Sequence, residues 1–167
     1  DAFLAALLNS QPMGFYAPSQ LVRDAREHGV TVLPVCVLRS QWDTVLEDGE
    51  SDDPAGLRPV RLGFSRLLGF READAQRIVA LRGESAAAGA PAFSSVEDLA
   101  RRAVLDGHAL ALLAEGDALA AVTGHRHQAA WSVRGIDTRA TAMLAATRTA
   151  EAPAVLAAPD TGRDVVA

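Results

Sequence analysis

The chain has 167 residues and a formal net charge of −5, with 16 arginines and no lysine. That length suits one ordinary domain or two small ones, and the net negative charge does not suggest a nucleic-acid binder. The longest apolar runs, residues 2–8 and 30–38, are too short to span a bilayer, and the single Cys36 excludes an internal disulfide and points to a reducing, cytoplasmic setting.

Residues 3–8 are apolar on most faces and predict a buried helix end, so the chain reads as a piece of a longer protein. Pro12, Gly14 and Pro18 make residues 9–18 a turn-rich link. Ser19 is placed to cap a helix through Leu21, Val22 and Ala25, with Gly29 as its stop. Residues 30–33 are β-branched and predict a short strand, which Pro34 restricts to an edge or an end. Residues 42–46 and 60–62 are candidates for two more strands. Between them runs an acidic loop: Asp43, Glu47, Asp48, Glu50, Asp52 and Asp53 have no base among them. From residue 58 to 82, six arginines face only Glu72 and Asp74, a local charge of +4 that the whole-chain sum hides.

After Gly63 the chain becomes helical almost throughout. A short helix over 64–68 precedes a longer one over 71–82, with Ala75, Ile78 and Val79 at helical spacing. Residues 83–92 read as a small-residue loop. Ser94 and Glu97 form a capping box opening a helix to 103, with Val96 and Leu99 on its inner face. Leu110 and Leu113 mark a further helix, interrupted at Gly116, with residues 119–122 beyond it. Helices are predicted over 126–133 and 138–147, then an Ala/Pro-rich linker from 150. The predicted class is mainly α with a small β element. A mixed piece spans 1–62, an all-helical piece 63–135, and a tail 136–167.

Leu68-Gly69-Phe70 is an apolar-Gly-apolar triplet between two helical patterns, the form of a helix-hairpin-helix turn. In such a unit the apolar residues tuck under the turn, and glycine lets the backbone approach a partner. The first amides of the second helix have no intrahelical acceptor and, with the helix dipole, suit a phosphate. Ser65, Arg66, Arg71 and Arg77 stand near enough in sequence to contact the same strand, while Glu72 in the first turn repels one. The same pattern also fits a plain C-cap between two core helices, and the pattern alone leaves both readings open. Gly116, flanked by Glu115 and Asp117, is the centre of a candidate second, degenerate hairpin of mainly structural role.

Longer stretches carry a resemblance. "FLAALLNSQPMGFYAPSQLVRDAREHGVTVLPVCV" (residues 3–37) resembles the end of the fingers region in bacterial C-family DNA polymerases, the polymerase III alpha subunit family, and its wording is most similar to the error-prone paralogue. "VRLGFSRLLGFREADAQRIVALR" resembles the first helix-hairpin-helix of that family, and the stretch from "FSSVEDLARR" to Trp131 resembles the family's next segment, with its second, degenerate hairpin. The resemblance covers about residues 1–135. It implies a parent enzyme that extends primed DNA with divalent magnesium, through palm carboxylates outside this chain. This segment is then a non-catalytic one that holds primer–template duplex by its backbone, in damage-induced mutagenesis and translesion synthesis. No stretch of 140–167 matches a sliding-clamp-binding peptide, so direct clamp binding is not expected, and mutagenesis accessory proteins are the expected further partners. A protein-docking module with purely structural hairpins is the alternative, and a stand-alone repair protein a third reading.

The remaining residues carry no chemistry of their own. His125 and His127 point to different helix faces and lack a Cys or carboxylate pair. Cys36 reads as a small core residue without a neighbouring base. Trp42 and Trp131 read as core anchors, and His28 as a helix-end cation.

Overall fold

The computed structural model describes residues 1–12, 16–47, 56–123 and residue 133. The first helix, α1 (Ala2–Asn9), is capped by Asp1, whose carboxylate accepts from the Ala2 amide at 2.5 Å. Leu4, Ala5 and Leu8 face inward, but Phe3 is 76% exposed, so the helix is one-sided where the sequence predicts a fully buried end. Helix α2 (Pro18–Glu27) is capped at Ala17, two residues before the Ser19 cap that the sequence predicts. Pro18 supplies the preset first turn, and the Ala17 amide is satisfied by Gln20 Oε1 at 3.1 Å. Gly29 closes α2 at φ 84, with the Val30 amide donating to Ala25 O at 2.9 Å.

Three two-residue strands come next: β1 (Val32–Leu33), β2 (Val45–Leu46) and β3 (Val60–Arg61). Their order is β1-β3-β2. β3 is last in sequence but takes the centre, parallel to β1 with Val32 opposite Val60, and antiparallel to β2 with Leu46 opposite Val60. The fully buried Val60 suits that central place. Pro34 lies just past edge strand β1, where its missing N–H costs no ladder bond. The sheet, α1 and α2 enclose a small core of Leu4, Ala5, Leu8, Ala25, Val30, Val32 and Val60.

The larger core is helical and gathers Phe64, Phe70, Ile78, Leu99, Leu110, Leu113 and Leu119. The predicted helix over 64–68 is a single 3-10 turn, Phe64–Arg66. Its first amides, those of Phe64 and Ser65, are anchored on Gln41 O and Trp42 O at 2.9 and 3.0 Å, and it stops where Leu67 turns extended at ψ 106. Helix α3 (Glu72–Ala87) runs straight through Gly83, where the sequence predicts a loop. Gly83 sits among good helix formers, which outweigh the roughly 1 kcal/mol that glycine costs. The stop is Gly89, at φ 65.

Helix α4 (Val96–Arg102) is capped by Ser95, one residue later than predicted. The Asp98 amide donates to Ser95 Oγ, and Asp98 Oδ2 accepts from the Ser94 amide, each at 3.0 Å, so Asp98 fills the role assigned to Glu97. Val96 and Leu99 are buried as predicted. Helix α5 (Gly107–Glu115) is capped by Asp106, and α6 (Ala120–Thr123) is a single turn. Apart from residue 133, the helices predicted over 126–133 and 138–147, the tail, His125, His127, Trp131 and most of the acidic loop lie outside the described residues. No described helix is long and apolar enough to cross a membrane.

Residues 35–42 join the two cores. The Val37 amide donates to Ala118 O at 2.9 Å, and Arg82 Nη1 donates to Val37 O at 3.2 Å. Ser40 is fully buried and bridges the Cys36 amide (3.0 Å) to Leu62 O (2.7 Å). Cys36 is only partly buried, and Trp42 packs partly buried against the larger core.

Candidate functional site

Gly69 sits in the turn between the 3-10 segment and α3 at φ 86, the left-handed region that glycine alone enters freely. A Cβ at this position would meet only Leu112 Cδ1 at 3.7 Å and His108 Nε2 at 3.9 Å, so backbone conformation and not crowding selects glycine. The Phe70 amide closes the turn on Leu67 O at 3.0 Å. Phe70 is buried and stacks on Phe64, with ring centroids 5.6 Å apart. Leu68 does not tuck under the turn as predicted: it is 93% exposed, and Leu67 packs inward instead. The left-handed glycine turns the chain so that the residue before it, not both flanking residues, faces water.

Beyond the turn, the Asp74 and Ala75 amides return to Arg71 O. Among the described residues no acceptor meets the backbone N–H groups of Gly69, Arg71, Glu72 and Ala73. Glu72 and Ala73 open a 16-residue helix, where the dipole adds partial positive charge, and Gly69 and Arg71 stand just before it.

The three arginines predicted beside this turn occupy different places. Arg66 is partly buried on the 3-10 segment, and its Nε reaches Ser65 Oγ at 3.4 Å. Arg71 is engaged twice, by Nε to Asp74 Oδ2 and by Nη2 to Asp106 Oδ2, each at 2.8 Å. Arg77 turns into the fold: its guanidinium pairs with Asp74 Oδ1 and donates to Ala103 O at 2.7 Å and Val104 O at 3.3 Å. Asp74 is 1% exposed, and two guanidinium groups answer its charge, as a buried carboxylate requires. Glu72 accepts from Gln76 Nε2 at 3.0 Å on the outer face.

The unit that repeats the first hairpin in register is α4–turn–α5, not the segment at Gly116. Val104 stands thirty-five residues after Gly69 and is also left-handed, at φ 51. At the same offset Phe64 matches Leu99, Phe70 matches Leu105, Ala75 matches Leu110 and Ile78 matches Leu113, all buried. The two N-caps, Arg71 and Asp106, also correspond and bond each other. Gly116 ends α5 at φ −81, and the left-handed residue there is Asp117 at φ 55. A Cβ on Gly116 would overlap the end of the Leu67 side chain, so this glycine is a seat for the first hairpin. A glycine is what the sequence pattern offers as a turn centre, and the valine in the equivalent position carries no such mark.

The second hairpin differs in charge. Asp106 Oδ1 accepts the Ala109 amide at 2.8 Å, and this bond first, then Arg71, holds its carboxyl below the ordinary range. Asp74 first, then Asp106, raises the Arg71 pKa. His108 borders Gly69, a neighbour that local sequence gives no means of finding.

A shallow cleft of about 250 Å³ lies between Gln41, Trp42 and the α3 residues Gln76, Val79 and Ala80, with no ionisable side chain on its walls. Among the described residues no group of three or more His, Cys, Asp or Glu side chains could hold a metal ion. The described residues thus bring together no set of carboxylates that fits the metal pair of phosphoryl-transfer chemistry.

A family model described as a helix-hairpin-helix motif matches residues 29–129. Along its whole length the chain is 51% identical to the error-prone DNA polymerase of Azoarcus sp. (strain BH72), covering 15% of that protein. It is 49% identical to the error-prone DNA polymerase of Ralstonia nicotianae (strain ATCC BAA-1114 / GMI1000), over 99% of this chain and 15% of the relative. The protein of the same description from Pseudomonas paraeruginosa (strain DSM 24068 / PA7) is 42% identical over 99% of this chain and 15% of its own length. The chain thus spans about a seventh of the length of the curated relatives it matches.

Proposed function

Since the chain belongs to the helix-hairpin-helix family and is similar throughout to error-prone DNA polymerases, we propose that it is the segment of such a polymerase that grips duplex DNA behind the site of synthesis. The observation that carries this reading is the cluster of four acceptor-free amides at the Gly69 turn and the start of α3. One backbone phosphate suits that cluster, by hydrogen bonds and by the helix dipole together. Arg66 supplies the nearby cation, and His108 supplies a further ring nitrogen beside the turn. Such contacts read the backbone and not the bases, so they position a duplex of any sequence. The chemistry of synthesis, its magnesium ions, and a role in mutagenesis and translesion synthesis belong to the parent protein under the same proposal.

The role of the three arginines is narrower than sequence spacing implies. Arg66 is the principal phosphate cation in this reading. Arg71 is shared with two carboxylates, and Arg77 serves the second hairpin through Ala103 and Val104. A protein-docking role is the second reading, favoured by the exposure of Leu68 and Val104 at the two turn tips. Salt dependence separates the two. Titrating the full chain with labelled duplexes of unrelated sequence should give equal affinities that fall steeply with salt. Arg66→Glu should weaken binding at least tenfold at low salt, by roughly 1.4 kcal/mol or more. Unchanged affinity in that variant would rule out the hairpin as the contact.

A further inference from the structure

Arg71 holds its guanidinium between two carboxylates of unequal standing. Asp74, on Nε, is buried and also bound by Arg77, so that contact belongs to the interior. Asp106, on Nη2, is 51% exposed at its side chain, and Arg71 is 59% exposed. Asp106 divides its work between its oxygens. Oδ1 caps α5 through the Ala109 amide, while Oδ2 meets Arg71 at 2.8 Å. An asparagine or serine caps a helix about as well as an aspartate, so the cap does not require the charge. An exposed ion pair of this kind also adds little stability.

What the charge does is occupy the outer edge of the one arginine that immediately precedes the free amides of α3. A carboxylate oxygen on a guanidinium edge uses the same donors in the same geometry as a phosphate oxygen. We propose that Asp106 is an internal phosphate surrogate: it holds Arg71 in the free protein, is displaced by the DNA backbone, and so limits duplex affinity by competition. This rests on reading the Gly69 turn as the phosphate site. The inner edge of Arg71 stays on Asp74 during the exchange, so the guanidinium is already oriented when its outer edge changes partner. The displaced carboxylate remains beside the phosphate and repels it, which lowers affinity further.

The test is Asp106→Asn in the full chain, titrated with labelled duplex across a salt series. Asparagine keeps the cap on Ala109 and removes the charge. Affinity at low salt should rise roughly three- to tenfold, while the slope of log affinity against log salt stays at the wild-type value, because the Arg71–phosphate contact forms in both complexes. Adding Arg71→Gln to that variant should abolish the gain. Wild-type affinity in Asp106→Asn overturns the proposal, and so does a gain that survives Arg71→Gln, since mere loss of a negative charge would produce it. Should Asp106→Asn fold poorly, Asp106→Ser asks the same question with a different uncharged cap. Arg66→Glu separates this idea from its foundation. Weakened binding there with a silent Asp106→Asn removes the surrogate and leaves the phosphate site standing. If neither variant alters binding, the phosphate site itself falls.

Discussion

Val104 is β-branched yet left-handed, a conformation that costs an L-residue roughly 1–2 kcal/mol. Its side chain is 73% exposed and contributes little burial in return. Val104→Gly relieves the strain, and the extra freedom of an unfolded glycine offsets about 0.4–1 kcal/mol of that gain. A net stabilisation of about 0.5–1 kcal/mol in chemical denaturation is expected. Gly69 is the converse case. Gly69→Val places a β-branched residue at φ 86 and should destabilise by roughly 2 kcal/mol while weakening duplex binding. A variant with wild-type stability and affinity would show that the turn needs no glycine. These two residues also mark where local sequence is informative. Helices α2 and α3 end on glycines, Gly29 and Gly89, which announce a left-handed stop. Gly29 is legible as one. Gly83 obscures Gly89, because a mid-helix glycine looks the same in a sequence. Helices α4 and α5 close with the same kind of bond, Leu105 N to Ala100 O and Ala118 N to Leu113 O, both at 2.9 Å. Their left-handed residues are Val104 and Asp117, which no glycine marks.

At the level of elements, sequence patterns locate the strands and helices α2 to α5, and Ala75, Ile78, Val96, Leu99, Leu110 and Leu113 are buried at the expected spacing. What they do not reach are capping choices separated by one residue, such as Ser94 against Ser95, and the partners of arginines. Arg66, Arg71 and Arg77 are equivalent in sequence. Only the packing of α3 against the α4–α5 turn makes Arg77 a carbonyl donor, while Arg66 stays partly buried beside Ser65. The join between β3 and the first hairpin depends on Gly63 for close approach. A Cβ there would overlap the backbone of Trp42 and Asp43, which cannot rotate aside. Gly63→Ala should therefore cost about 3 kcal/mol, the upper end for overpacking a fixed wall. Thermal unfolding would register it as a large fall in Tm. A Tm close to that of wild type would mean the two segments separate readily.

Across the molecule, the net charge of −5 points away from nucleic acid, and the segments point back towards it. Charge is arranged by segment, and inside the basic segment it is arranged again by pairing. The arginines most tightly paired with acids, Arg71 and Arg77, contribute least to an outward field, while the backbone amides at α3 contribute without appearing in any charge count. A formal sum is thus a poor guide to where an anion would rest.

Val37 has its amide on Ala118 O, just past the end of α5, and its carbonyl under Arg82 of α3. A single residue of the link between the cores is therefore clasped from both sides by the hairpin body. On the proposed reading, a pull by a duplex on the hairpins is handed to the link at residue 37 through these two bonds.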